Sequence, residues 1–264
     1  MYLADCYNMN KTIQALRDNI NDIRLNIRSL IRKKILRYSV SPKKVVHLRK
    51  QVNCKYKWYG SSYGGFYVNP DFLNEKSIIY SFGIGKDITF DIKCIIKHKC
   101  RVYGFDPTPK SIQWISSQKI NPLFTFNNYG ISTISGYQDF FLPSNPKGVS
   151  GSLVNSEVVN ENNSIKVLMK SFNDISSCFG HKIIDVVKID IEGSEYEIID
   201  DIINSPCAVN QVLVEFHDRL FDSGDSKSRR FVEKMNQKGY FIFAVSGSYE
   251  EVSFIKKDLL VLNT

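Results

Sequence analysis

A few short segments of this 264-residue chain carry side chains that could bind or transform a ligand. Tyr80-Ser-Phe-Gly83-Ile-Gly85-Lys-Asp87 sets two glycines two positions apart, which permits a tight turn and close backbone approach to a ligand. Asp106 lies 23 residues beyond Gly83, where the next strand would end on a carboxylate able to accept both hydroxyls of a ribose. Lys188-Ile-Asp190-Ile-Glu192-Gly193-Ser-Glu195 presents carboxylates around a turn glycine, and Glu215-Phe-His217-Asp218-Arg219 sets an imidazole among charges. Asp190, Glu192 and His217 are the candidate catalytic residues. An alcohol hydroxyl does not ionise near neutral pH, whereas an imidazole titrates there, so His217 is the first candidate for general base and Asp190 for its orienting partner. Plainer roles stay open: Glu195 as a helix-dipole complement and His217 as a packed core residue.

Glycine turn and acid together read as a nucleoside site, and Asp87 narrows the nucleoside. Dinucleotide sites seat a pyrophosphate on the helix N-terminus and use a third glycine, a position held here by Ile88. A carboxylate at Asp87 would repel a pyrophosphate but suits the ammonium and sulfonium of S-adenosylmethionine, which favours a methyl donor over NAD. No metal is assigned. Cys94, His98 and Cys100 lack a fourth ligand with zinc-type spacing, and Asp190, Glu192 and His217 offer three oxygen or nitrogen donors, too few to claim an ion.

Such side chains need strand ends to hold them. Apolar runs at 77–82, 101–105, 123–126, 184–189, 211–216 and 241–245 alternate with helical segments at 86–97, 110–118, 194–203 and 227–238. That alternation predicts a mainly parallel sheet with helices on both faces, binding its ligand beyond the carboxyl ends of the strands. Residues 251–256, after the turn Ser246-Gly247-Ser248, are expected to return antiparallel. Pro143, Pro146 and Gly151 break the strand-like stretch 130–170, predicting an inserted hairpin with a mobile loop. Upstream, Ile13, Leu16, Ile20, Ile23, Ile27 and Leu30 repeat at heptad spacing and predict an amphipathic helix over residues 11–37. Pro42 ends it, and a basic connector spans 43–57. Two units follow: 1–57, helix and connector, and 58–264, the catalytic domain.

Hydrophobic residues at 43% and charged residues at 23% exclude wholesale disorder. No run reaches the roughly 18 apolar residues of a membrane span, and residues 1–8 lack the build of a signal peptide, so a cytoplasmic protein is expected. The six cysteines are scattered and are expected to be free thiols. Net charge is +8, but residues 1–60 hold 14 Lys/Arg against 3 Asp/Glu while the remainder holds 21 against 24. The basic segment suits peripheral contact with an anionic surface, and its apolar seam suits a homodimer.

The segments YSFGIGKDITFD (80–91), FDPTP (105–109), VKIDIEGSEY (187–196) and LVEFH (213–217) together resemble the FkbM family of S-adenosylmethionine-dependent methyltransferases. Gly60-Ser-Ser-Tyr63-Gly64-Gly65 resembles the lead-in of one branch of that family, and the likeness runs over about 58–257. It implies a class I (Rossmann-like) methyltransferase sheet of seven strands, the last antiparallel. It also implies that Gly83, Gly85 and Asp87 surround the methionine part of the donor, Asp106 holds the ribose and Asn128 lies near the adenine, with Phe82, Pro107 and Asp190 also among the donor-binding residues. Ser81 and Gly85 depart from the fuller glycine pattern of many relatives. Family members are mostly O-methyltransferases, many acting on sugars. The reading is therefore an S-adenosylmethionine-dependent O-methyltransferase with a sugar or glycan hydroxyl as acceptor. A nucleic-acid-binding protein with a non-catalytic Rossmann-like domain and an NAD-dependent oxidoreductase are the alternatives.

Overall fold

The computed structural model of the chain describes Ile31 and residues 41–143 and 159–261. The helix expected over 11–37, and the dimer contact assigned to it, fall outside the described residues apart from Ile31. So does most of the loop expected between the strands of the inserted hairpin.

Strands β1 (Lys57–Tyr59) and β2 (Phe66–Val68) form a small antiparallel sheet. Then come β3 (Ile78–Phe82), α1 (Thr89–His98), β4 (Arg101–Phe105), α2 (Pro109–Ser116) and β5 (Phe124–Asn127). Strands β6 (Gly130–Ile131), β7 (Gly136–Pro143) and β8 (Val159–Lys170) make a three-stranded sheet in the order β6-β8-β7. The chain continues through α3 (Phe172–Phe179), β9 (Ile183–Ile189), α4 (Glu195–Ile203), β10 (Ala208–Glu215), α5 (Gly224–Gln237), β11 (Tyr240–Val245), β12 (Glu251–Lys256) and α6 (Lys257–Val261).

Seven strands form the central sheet in the order β11-β12-β10-β9-β3-β4-β5. The pairings β3–β4, β4–β5, β3–β9 and β9–β10 are parallel, and β12 is antiparallel to both β10 and β11, so the sheet is mixed. Its central strands are apolar on both faces because both are covered. On one face Tyr80, Phe82, Val187, Ile189, Val212 and Val214 pack with Ile198, Ile199 and Ile202 of α4 and Phe231, Val232 and Met235 of α5. On the other, Ile79, Val186 and Leu213 pack with Phe90, Cys94 and Ile95 of α1 and with Tyr59, Phe66 and Val68 of the small sheet. Strand order reverses between β3 and β9, which opens the crevice where such sheets hold ligands.

The stretch read as a basic connector is packed on this body. Leu48 is buried in the core, and the backbone N–H groups of Gln51 and Val52 both donate to the Ile242 carbonyl, at 2.7 and 3.1 Å. Cys54, Cys94, Cys100, Cys178 and Cys207 are free thiols. Among the described residues no helix is long and apolar enough to cross a membrane.

Candidate active site

The turn after β3 and the end of β9 are built against each other. Gly83 N–H donates to the Phe105 carbonyl (2.9 Å) and Asp190 N–H donates to the Phe82 carbonyl (3.1 Å). Gly83 has φ +74°, and a Cβ there would stand 1.7 Å from the Asp190 carbonyl oxygen, so only glycine fits. Gly85, at φ +54°, would meet nothing within 4 Å and leaves open space beside the turn. Lys188, buried in β9, fixes the junction from below: its Nζ donates to the Gly83 carbonyl at 3.2 Å and lies 3.8 Å from Asp190 Oδ2. Two fold elements distant in sequence thus share one backbone contact at the sheet's carboxyl edge.

Asp106, at the end of β4, faces the same turn. Its Oδ2 accepts from Gly85 N–H (2.8 Å), and its Oδ1 accepts from Thr108 N–H (2.9 Å) and Thr108 Oγ1 (2.7 Å). Burial raises its pKa and these donors pull it back. A side-chain hydrogen bond from Ser111 adds to these, so the carboxylate is held rigidly at the strand end. Asp87 is also engaged: Oδ2 accepts from Ser61 Oγ at 2.5 Å and Oδ1 from Thr89 N–H at 2.7 Å, so it ties the 60–65 loop to the start of α1. Phe82 points away from the edge. Its ring is buried and stacks on Phe105 with centroids 4.7 Å apart, so its side chain belongs to the core and not to a donor pocket. Pro107 and Asn128 line a cavity of about 260 Å³ together with Tyr137, Lys166 and Leu168 of the β7–β8 hairpin.

Across the edge, Asp190, Glu192 and His217 converge. His217 Nε2 lies 3.3 Å from Glu192 Oε2, 3.8 Å from Asp190 Oδ1 and 4.0 Å from Glu215 Oε1. Glu195, fully buried in the first turn of α4, sets the ring: its Oε1 accepts from His217 N–H (3.0 Å) and bonds Nδ1 (3.1 Å), while Oε2 accepts from Gly193 N–H (2.9 Å). Glu192 sits in the left-handed region at φ +51°, a conformation that costs a non-glycine residue on the order of 1 kcal/mol or more and clusters at functional sites. Arg219 Nη1 pairs with Glu250 at 3.1 Å, and its Nη2 lies 3.7 Å from Glu192.

Electrostatics bear on the first candidate for a base. Burial would lower the His217 pKa, but the charge and hydrogen bond of Glu195, then Glu192 and Glu215, outweigh it and push it to about 10. A raised pKa favours the imidazolium form, which donates from both nitrogens. Burial raises Asp190, with Lys188 and His217 opposing, and burial followed by Asp190 raises Glu215. Asp190 and Glu192 stand beside the ring as further candidate proton acceptors. Sequence reasoning placed Glu195 and Lys188 near the site but gave neither a role there, and it missed Tyr63. Desolvation of the Tyr63 hydroxyl, then Asp190, Glu192, Glu215 and Asp87, raise its pKa, although about half (52%) of the residue is exposed.

The sequence model of the methyltransferase FkbM domain matches residues 70–242. The human protein called "Probable methyltransferase-like protein 24" is 25% identical over 200 residues, 70% of this chain and 47% of that protein. The hexuronic acid methyltransferase AglP of Haloferax volcanii is 27% identical over 130 residues, 47% of this chain and 50% of that one. The chain thus spans about half the length of the curated relatives it matches. Among solved structures, a candidate S-adenosylmethionine-dependent methyltransferase from Listeria monocytogenes superposes with a TM-score of 0.39 at 11% identity, over 71% of this chain and 93% of that one. The family match removes the oxidoreductase alternative, in agreement with the carboxylate at Asp87. The chain belongs to the FkbM methyltransferase family and carries its S-adenosylmethionine-dependent methyltransferase domain.

Proposed function

We propose that the chain transfers a methyl group to a hydroxyl of a sugar or glycan, with Gly83, Gly85 and Asp106 on the donor side and Asp190, Glu192 and His217 on the acceptor side. One observation carries the reading: the carboxylate–imidazole group stands on the backbone junction that Gly83 makes with Asp190, so acceptor and donor halves share a wall. The name of the relative AglP, a hexuronic acid methyltransferase, supports a sugar acceptor. S-adenosylmethionine, when bound, supplies a methyl already activated on a sulfonium. The residues have two tasks left, alignment of the acceptor oxygen and removal of its proton. Asp190 or Glu192 takes that proton, and the His217 imidazolium stabilises the carboxylate that does so. On the donor side, open space at Gly85, the Asp106 carboxylate at the strand end and the cavity at Pro107 and Asn128 fit a nucleoside.

The test is release of S-adenosylhomocysteine by the full chain over a panel of uronic acids, neutral sugars and glycans. Release with a sugar acceptor above the acceptor-free rate supports the proposal. Donor binding without release on any sugar, but with release on RNA or protein, would overturn the acceptor class. The homodimer through residues 11–37 belongs to the same reading. Because Leu48 is buried, light scattering should compare the full chain with one beginning near Ser41. A dimer that becomes a monomer on shortening is expected, and two monomers would remove it.

A further inference from the structure

We infer that the β7–β8 hairpin forms the outer wall of the donor's adenine site and that Tyr137 stacks on the base. The placement of the nucleoside at Asp106 and Asn128 rests on the reading above; the hairpin and its aromatic ring are what is added.

Two strand ends fix where a base would lie. Asp106 N–H donates to the Asn127 carbonyl (3.2 Å), so Pro107 and Asn128 are neighbours at one edge of the sheet. A base joined to a ribose at Asp106 can extend along that edge, beyond the carboxyl ends of β4 and β5. The hairpin is docked on the same edge. A Cβ on Gly130 would stand 2.7 Å from Met169 Sδ and 3.0 Å from Pro107 Cγ, so Met169 of β8 and Pro107 both pack directly on the Gly130 backbone. Gln138 Nε2 of β7 donates to Ser132 Oγ (2.7 Å) and to the Ile134 carbonyl (2.6 Å). Side chains alternate between the two faces of the hairpin. Phe140, Val167 and Met169 are buried on one face, which leaves Tyr137 with its register partner Leu168, and Asp139 with Lys166, on the other.

The second face carries the means to hold a base. Tyr137 is 73% exposed, so the fold leaves most of its ring uncovered, yet it lines the same cavity of about 260 Å³ as Pro107, Pro109 and Asn128. An aromatic face, proline rings and one amide around a single cavity suit a flat, uncharged heterocycle. Lys166, the cation of this cavity, is paired with Asp139 at 3.2 Å, so the cavity offers little to a phosphate. Adenine meets these terms, and S-adenosylmethionine carries no phosphate.

The experiment is calorimetric titration of the full chain and its variants with S-adenosylhomocysteine. Because Tyr137 is exposed, its variants should melt at the wild-type temperature. Tyr137→Ala is expected to weaken binding about tenfold, the scale of one lost base–aromatic stack, and Tyr137→Phe to stay within about twofold. A loss in Tyr137→Phe equal to that in Tyr137→Ala would put a hydroxyl contact in place of stacking and overturn the proposal. Binding weakened by Asp106→Asn but unchanged in Tyr137→Ala would overturn the hairpin wall and leave the donor side standing. Weakening in Tyr137→Ala with Asp106→Asn unchanged would support the wall and strike the ribose contact of Asp106 instead. Binding unchanged in both variants would overturn both.

Discussion

Two carboxylate environments lie on either side of one backbone junction, and they are built on opposite principles. Asp106 is fixed by Gly85 N–H, by the N–H and hydroxyl of Thr108 and by Ser111, so it is a rigid docking point. Asp190, Glu192 and Glu215 crowd an imidazole whose Nε2 lies 3.3–4.0 Å from their nearest oxygens, which concentrates negative charge at one point of the edge. A rigidly held acid binds. A crowded group of acids around an imidazole can take up a proton, which is what chemistry at an acceptor oxygen requires. Asp91, under the glycine turn, is a third case: both its oxygens are buried without a hydrogen bond, and burial pushes its pKa to about 6 despite nearby Lys188.

The largest expected effect falls on the crowded side. Asp190→Asn should cut turnover by roughly 10²–10⁴ with acceptor saturating, because the side chain can no longer accept a proton or carry charge beside His217. Turnover within a few-fold of wild type would assign the cluster a purely structural role. Next comes the junction. Gly83→Ala pushes a methyl to 1.7 Å from the Asp190 carbonyl at φ +74°, and should cost about 3 kcal/mol or more of stability by denaturant unfolding. A near-neutral result would show that the two halves do not share a wall.

The smallest of the three sharpens the contrast between satisfied and unsatisfied acids. Asp91 keeps its proton in the fold up to about pH 6, whereas the unfolded chain ionises it near 3.8, so its contribution to stability falls as pH rises from about 4 to 6. Asp91→Asn should match wild type near pH 4 and exceed it by up to about 3 kcal/mol above pH 6. A constant difference across that range would show that Asp91 does not titrate in the fold.

The sheet was legible because strands buried on both faces leave continuous apolar runs, and β3, β4, β9 and β10 all emerged within a residue or a few of their expected ends. The glycine turn and Asp106 were legible because their spacing is local. The tie from Glu195 to His217 was not, since it depends on β9 and β10 lying side by side, a fact of topology. That tie, with the neighbouring acids, raises the pKa of the imidazole above its ordinary value. Phe82 shares strand parity with Tyr80, and both rings enter the same core, so its direction was readable and was overlooked. Strands β1 and β2 are three residues each, too short for a period, and the charges of residues 43–57 hid the packing of Leu48. Lys188 carried a usable signal: a lysine within an apolar strand core needs a buried acceptor.

Donor affinity in Asp106→Asn and Asp190→Asn, measured side by side by calorimetry with S-adenosylhomocysteine, tests the division most directly. Asp106→Asn should weaken binding about tenfold, through a lost charge-assisted contact and a disturbed Gly85 N–H, while Asp190→Asn should stay within about threefold. The reverse pattern, with Asp190→Asn losing the donor and Asp106→Asn keeping it, would contradict the assignment of one side to the donor and the other to the acceptor.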